Sequence, residues 1–351
     1  MAPTRFDPNG PADADAGIFG LPFSEDESAL VMIPVPWDAT TSYRPGTARG
    51  PEAVLAASPQ LDLYDLELED PWAPGIHLQP ISTKLARWNK AARKIALPVL
   101  EGGATGKRAM RICAEVDALC DRMVDRVQDE ATRLIAADKT PAVLGGDHST
   151  PLGLIAALGA RHHEFGILHL DAHHDLRKAY QGFAHSHASI MRNVMELVPA
   201  VTKLVQVGIR DFSQDEHDFA RAQPGRIAVH YDRWLAEARA KGTPWAEQMK
   251  TIVGALPELV YLSFDIDGLD PKLCPNTGTP VPGGLQFDDA AQLVREVVVS
   301  GRRIVGFDLV EVAPGDAEVA DSWDANVAMR LLYRMAAWTL ASQGRLRQRP
   351  R

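Results

Sequence analysis

Short, wholly apolar runs alternate along this chain with longer segments of helical periodicity, and that alternation restricts the fold more than any other feature. The runs are residues 29–35, 141–145, 166–170, 202–207, 226–230, 259–264 and 303–309. Most carry apolar side chains at consecutive positions. A strand with one wet face alternates polar and apolar residues; a strand covered on both faces does not. Helical patterns fill the gaps, the longest near 107–137 and the last near 322–342. The expected class is α/β, built from βα units around a mainly parallel sheet.

A chain of 351 residues can bury one large core or two ordinary ones. No internal repeat or low-complexity tract divides it, so residues 29–345 read as a single domain. Residues 1–28, rich in acids and prolines, read as a flexible leader, not a secretory signal. Residues 81–107 read as an inserted segment. Lys84, Arg87, Lys90, Arg93 and Lys94 give it a basic helical face, expected to be solvated, with a subunit contact or a lid as alternatives. The net charge of −9 and the lack of a long basic stripe argue against nucleic acid as a partner. No run of ~18 apolar residues is present to cross a membrane. Three cysteines form no disulfide framework, and Cys113 and Cys120 fall in an apolar helical stripe with Val116, Met123 and Val127, which suits the cytoplasm.

The chemistry concentrates in the histidines. Eight of the 11 lie between His148 and His187, several beside aspartates just past apolar runs. In an extended segment alternate side chains share a side. Asp171, His173 and Asp175 therefore converge if the preceding strand continues into them, and Asp265 and Asp267 do the same after residue 264. Four carboxylates brought together repel one another unless cations intervene. With His148, the set comprises two imidazoles and four carboxylates, which suits two first-row divalent metals. Such a pair, ~3.5–4 Å apart, lowers the pKa of solvent toward neutrality. His174 points to the opposite face and reads as packed, His169 as core, oriented by a backbone carbonyl, and His162 and His163 as surface.

The segments GGDHS, DAHHD and SFDIDGLDP, in this order, resemble the ureohydrolase family of arginases and agmatinases, most closely its agmatinase branch. The likeness continues through PVPWDATTSYRPGTARGPEAV, TGTPVPGGL, GFDLVEVAP and WDANVAMRLLYRM, covering roughly residues 30–340. The resemblance implies a three-layer α/β/α fold with about eight strands. It implies His148, Asp171, His173, Asp175, Asp265 and Asp267 as ligands of two divalent metals, Mn2+ or Ni2+, with Asp171 and Asp265 bridging. Glu311 matches the glutamate that pairs with a substrate guanidinium, and Asp175 takes part in proton transfer.

The family's proton-shuttling histidine precedes a glycine, whereas this chain reads FAHSHASIM. His187 overlays it best, with Ala188 in place of glycine; His185 is the alternative, or a substrate contact. The implied reaction is hydrolysis of a guanidinium-type C–N bond to urea and an amine, acting on agmatine or another small cationic guanidine. Free guanidine and N-alkylated biguanides such as metformin stand as alternatives, and a metal-dependent deacetylase is the rival chemistry. Relatives form trimers or hexamers, so a homo-oligomer is expected, or an assembly with a paralogous subunit.

Overall fold

Each apolar run becomes a strand, most of them covered on both faces; the strand Ile227–Tyr231 at the sheet edge is half-buried. The computed structural model describes residues 6–12, 16–316 and 318–350. The strands are β1 (Leu30–Val35), β2 (Ile76–Leu78), β3 (Thr140–Gly145), β4 (Phe165–Leu170), β5 (Val201–Ile209), β6 (Ile227–Tyr231), β7 (Leu259–Asp265) and β8 (Arg303–Val310). They form one parallel eight-stranded sheet in the order β2-β1-β3-β8-β7-β4-β5-β6. Only β2, three residues at the sheet edge, has no counterpart among the expected strands.

The helices are α1 (Gly50–Ala57), α2 (Thr83–Leu100), α3 (Gly106–Ala136), α4 (Leu152–Arg161), α5 (Ile190–Leu197), α6 (Gln214–Arg221), α7 (Asp232–Ala240), α8 (Trp245–Gly254), α9 (Phe287–Val299) and α10 (Trp323–Ser342). Successive strand residues feed opposite cores. Leu30 and Met32 pack with α1, α8, α9 and α10, whereas Val31, Ile33 and Val35 pack with α2, α3, α4 and α5. The result is the expected three layers. Cys113 and Cys120 are buried in the second core.

Two expectations need correction. Part of the stretch read as a flexible leader is packed: Ile18, Phe19 and Leu21 are buried, and the Phe19 ring meets Tyr333 edge-on at 5.1 Å. Further back, Phe6 meets Trp72 at 5.0 Å. Aromatic burial outweighs the acids and prolines around it. Residues 1–5 and 13–15 of that stretch lie outside the described residues. The basic segment 81–107 keeps Lys84, Arg87, Lys90 and Lys94 exposed as expected and needs correction at Arg93 alone, which is half-buried. Its helix α2 is capped by Ser82 and buries Leu85, Asn89, Ala92 and Ala96. Asn89 exchanges hydrogen bonds with Asp38 (2.9 Å each), and Arg93 donates to the backbone oxygens of Asp38 and Thr41. These bonds pin the loop after β1 beside the carboxyl ends of the strands.

Candidate binuclear metal centre

The functional segments leave the carboxyl ends of β3, β8, β7 and β4, which are consecutive in the sheet. Gly145 and Gly146 turn the chain after β3. A Cβ at Gly146 would overlap the Trp37 carbonyl oxygen, so no larger residue fits there. The turn drives His148 inward until its imidazole is fully buried.

His148 Nδ1 lies 3.0 Å from Asp171 Oδ2, 3.0 Å from Asp175 Oδ2 and 3.3 Å from Asp265 Oδ2. His173 Nδ1 lies 3.1 Å from Asp267 Oδ2 and 3.4 Å from Asp171 Oδ1. The six residues thus form two adjoining nests, with one oxygen of Asp171 facing each. Asp265 offers Oδ2 to the His148 nest, and its Oδ1 accepts the Asp267 N–H at 2.8 Å. Asp171 thus faces both nests, whereas Asp265 faces that of His148 alone.

The convergence has a different local cause from the one expected. β4 ends at Leu170, and the chain then turns: Asp171 Oδ1 accepts the His173 N–H at 2.6 Å, and Asp175 takes a left-handed φ of 55°. Asp267 likewise sits in a 3-10 turn after β7. Carboxylate-to-backbone bonds, not an extended strand, gather these side chains.

Electrostatics describe a site short of positive charge. Burial, with Asp171 alongside, pushes Asp175 up to about 7. Burial and the neighbouring Asp267 and Asp171 raise Asp265 well above the carboxylate range. Burial also opposes ionisation of Asp171, but His169, His148 and His173 hold its pKa well below normal. No hydrogen bond is formed by His148 Nδ1, although three carboxylate oxygens surround it. A ring nitrogen and several carboxylates aimed at one point form a mixed N/O donor set that divalent first-row cations satisfy. The residues fit two such cations.

Glu311 follows β8 and is 4% exposed. Its φ of 61° is left-handed, a conformation costing a non-glycine residue roughly 1–3 kcal/mol. Three bonds hold it there: its N–H donates to the Gly146 carbonyl (2.8 Å), its carbonyl accepts from Thr277 Oγ1 (2.8 Å), and Oε1 accepts the His148 N–H (3.0 Å). Burial, then Asp147, raises its pKa well above normal. A Cβ at Gly278 would stand 3.4 Å from Glu311 Oε2, 3.6 Å from the Tyr43 oxygen and 3.8 Å from the Arg44 oxygen. Glu311 Oε2 and the main-chain oxygens of Tyr43 and Arg44 thus lie close around Gly278.

A cavity of about 190 Å3 opens over the centre, lined by His173, Asp175, Tyr180, His187, Asp211 and Thr279, among others. His187 stands in this wall against the Tyr180 ring at 6.0 Å. Burial, helped by His173 and His148, pushes it down to about 4, so it is neutral at pH 7. His185 is not in the lining. It turns toward α3, where Nε2 lies 2.8 Å from Asp121 and its N–H donates to Asp117. Asp121 thus pairs with the His185 side chain, and Asp117 holds its main chain.

Sequence reasoning passed over Asp211, Arg177 and Thr279. Arg177 stacks on Tyr180 at 4.9 Å and pairs with Glu216 at 3.4 Å, and Thr279 donates to Asp267 Oδ2 at 3.2 Å. The available signal was GIRD, which ends β5 as the other site segments end their strands. A larger cavity, about 410 Å3, is lined by Arg44, Arg49 and Asn276 and contains none of the six nest residues.

The model of the Arginase family matches residues 28–337. The chain belongs to this family. The arginase-family chain is 35% identical over 291 residues to an N(1)-aminopropylagmatine ureohydrolase of Thermus thermophilus, covering 82% of this chain and 84% of that one. It is 32% identical over 309 residues to another protein of that name from Synechocystis, covering 87% and 89%. A crystal structure of a hypothetical agmatinase from Burkholderia thailandensis superposes with a TM-score of 0.70 at 25% identity, over 95% and 94% of the two chains. The chain is an agmatinase-like ureohydrolase, a hydrolase of C–N bonds; the family implies a binuclear divalent metal site, and the His/Asp cluster is the candidate for it. No helix among the described residues is long and apolar enough to cross a membrane.

Proposed function

We propose that the enzyme hydrolyses agmatine or another small guanidine compound, releasing urea and an amine. The observation that carries this reading is the Glu311 carboxylate, almost fully buried and held beside His148 by the bond from the His148 N–H. A guanidinium pairs with such a carboxylate through two parallel N–H bonds, which orient it. The relatives named for agmatine-type substrates agree.

His148, Asp171, Asp175 and Asp265 would hold one cation, and Asp171, His173, Asp267 and Asp265 the other. When bound, the two cations supply Lewis acidity that brings a solvent proton within reach of neutral pH. Glu311 presents the guanidinium carbon toward the nests. Asp175, beside His148 and facing the cavity, takes the proton of the attacking water. His187, neutral at pH 7, first accepts that proton and then delivers it to the leaving nitrogen as general acid. Mn2+ or Ni2+ suits the four carboxylates and two imidazoles.

Asp211 is exposed at the cavity mouth and its carboxylate forms no ion pair among the described residues. It suits the distal amine of an agmatine-like substrate. A second reading, free guanidine or an N-alkylated biguanide, is favoured by the small cavity and by Arg177, whose charge opposes a distal amine. A homo-oligomeric assembly, trimer or hexamer, or one with a paralogous subunit, belongs to the same reading. Free, buried cysteines support a cytoplasmic setting.

The test is urea release from metal-free protein reloaded separately with Mn2+, Ni2+, Co2+ or Zn2+. The panel holds agmatine, aminopropylagmatine, arginine, guanidine, guanidinobutyrate and metformin. Turnover of agmatine or a close analogue supports the first reading, and turnover of guanidine or metformin alone supports the second. Urea from none of them, with two cations bound, contradicts both.

A further inference from the structure

Four polar side chains cross the apolar floor of the sheet in one line. Gln206 of β5 is registered with His169 of β4, His169 with Ser263 of β7, and Ser263 with Asp308 of β8. All four are fully buried, within strands otherwise built of apolar residues. Burying such groups is costly unless every bond is made, so a continuous row calls for a physical reason.

The bonds fall into two sets, Gln206 with His169 and Asp171 on one side and His148 with Ser263 and Asp308 on the other. The carbonyl of His174 can only accept, so the Gln206 atom 2.8 Å from it is the amide nitrogen. That nitrogen also lies 2.9 Å from His169 Nδ1, which must therefore accept. His169 consequently carries its proton on Nε2 and donates it to Asp171 Oδ2 at 2.8 Å. The Gln206 oxygen accepts from His174 Nδ1 at 2.7 Å, which locks the amide. At the other end, the Ser263 hydroxyl donates to Asp308 Oδ1 (3.2 Å) and accepts from His148 Nε2 (2.9 Å). His148 Nδ1 is left with a lone pair facing the carboxylates of its nest. Both ends of the row thus act on the same nest, that of His148 and Asp171 Oδ2, and the row makes no such bond to His173.

We propose that the row Gln206–His169–Ser263–Asp308 is a positioning device that fixes the tautomer of His148 and the orientation of Asp171, and so sets the affinity of one metal site of the two. His169, although close to the carboxylates, is a hydrogen-bond donor and not a ligand. This inference rests on the two-cation reading for its metal arm only.

The test has two arms. In metal-free, 15N-histidine-labelled protein, with His169 assigned by its loss in H169F, Nε2 should be protonated and Nδ1 bare; a proton on Nδ1 overturns the proposal. In chelator competition, S263A and H169F should each bind one cation as wild type does and the other ~10–100-fold more weakly, the usual effect of removing a partner of a metal ligand. H169Q, which restores an N–H near the Nε2 position, should recover most of the loss. Unchanged affinities in S263A and H169F, or equal weakening of both sites, overturn the proposal. S263A removes a single oxygen and carries this arm if H169F does not fold. Wild-type protein that binds fewer than two cations refutes the two-cation reading, and the tautomer then decides the row by itself.

Discussion

Replacing Glu311 by glutamine separates substrate recognition from metal binding. The amide oxygen can still accept the His148 N–H that Oε1 now holds at 3.0 Å, so the turn after β8 keeps its bond. What disappears is the negative charge of the buried carboxylate. Leaving one member of a buried ion pair without its partner costs ~3–5 kcal/mol. The glutamine amide oxygen remains as an acceptor, so the lower end applies, which is about two decades in kcat/KM at 1.36 kcal/mol per decade. Stability should move the other way. Burial and Asp147 push the Glu311 carboxyl well above its usual range, so an ionised Glu311 opposes folding of the metal-free chain at pH 7. E311Q should therefore unfold no earlier than wild type while binding two cations. Urea release, elemental analysis and thermal unfolding read the three quantities. Wild-type kcat/KM in a fully loaded E311Q protein refutes the guanidinium role.

Three further outcomes follow from other residues. H187N should lower kcat by ~10²–10⁴, the span of a general acid, without loss of metal, whereas H185N, altered outside the cavity, should retain turnover; the reverse order reassigns the shuttle. D211N should raise KM for agmatine and leave KM for free guanidine unchanged, and equal effects on both refute a contact with the distal amine. Burial pushes His174 down to about 4, against an ordinary value of 6.5. The unfolded chain therefore takes up a proton first as pH falls, and the contribution, on the order of 3 kcal/mol, is intact above pH 6.5 and lost toward pH 4. Denaturant unfolding of metal-free protein should show the gap between wild type and H174Q narrowing across that window; a constant gap contradicts it.

The sheet was legible because burial on both faces leaves a sequence signature: seven of its strands are mostly apolar, without a strict polar–apolar alternation. β2 left none, being three residues long. The six nest residues were legible for a partly mistaken reason. Spacing by two brings side chains together in a strand, but here turns closed by Asp171 and Asp265 do so. Residue type and spacing carry that information; backbone strain does not appear in them, so the left-handed Glu311 and Asp175 could not be foreseen. The polar row was hidden for a related reason. His169, Gln206, Ser263 and Asp308 are far apart in the chain, and only strand register makes them neighbours. Likewise, nothing local distinguishes Phe19, which packs, from a residue of a free tail.

The central claim is that two cations, held by nests sharing Asp171, are both required for turnover. Titrating metal-free protein with Mn2+ or Ni2+ while following urea release and bound metal tests it most directly. Activity is expected to rise to a plateau at two equivalents per chain, and D265A is expected to lose cation binding and activity together. Full activity at one equivalent, or undiminished urea release by D265A, would contradict it.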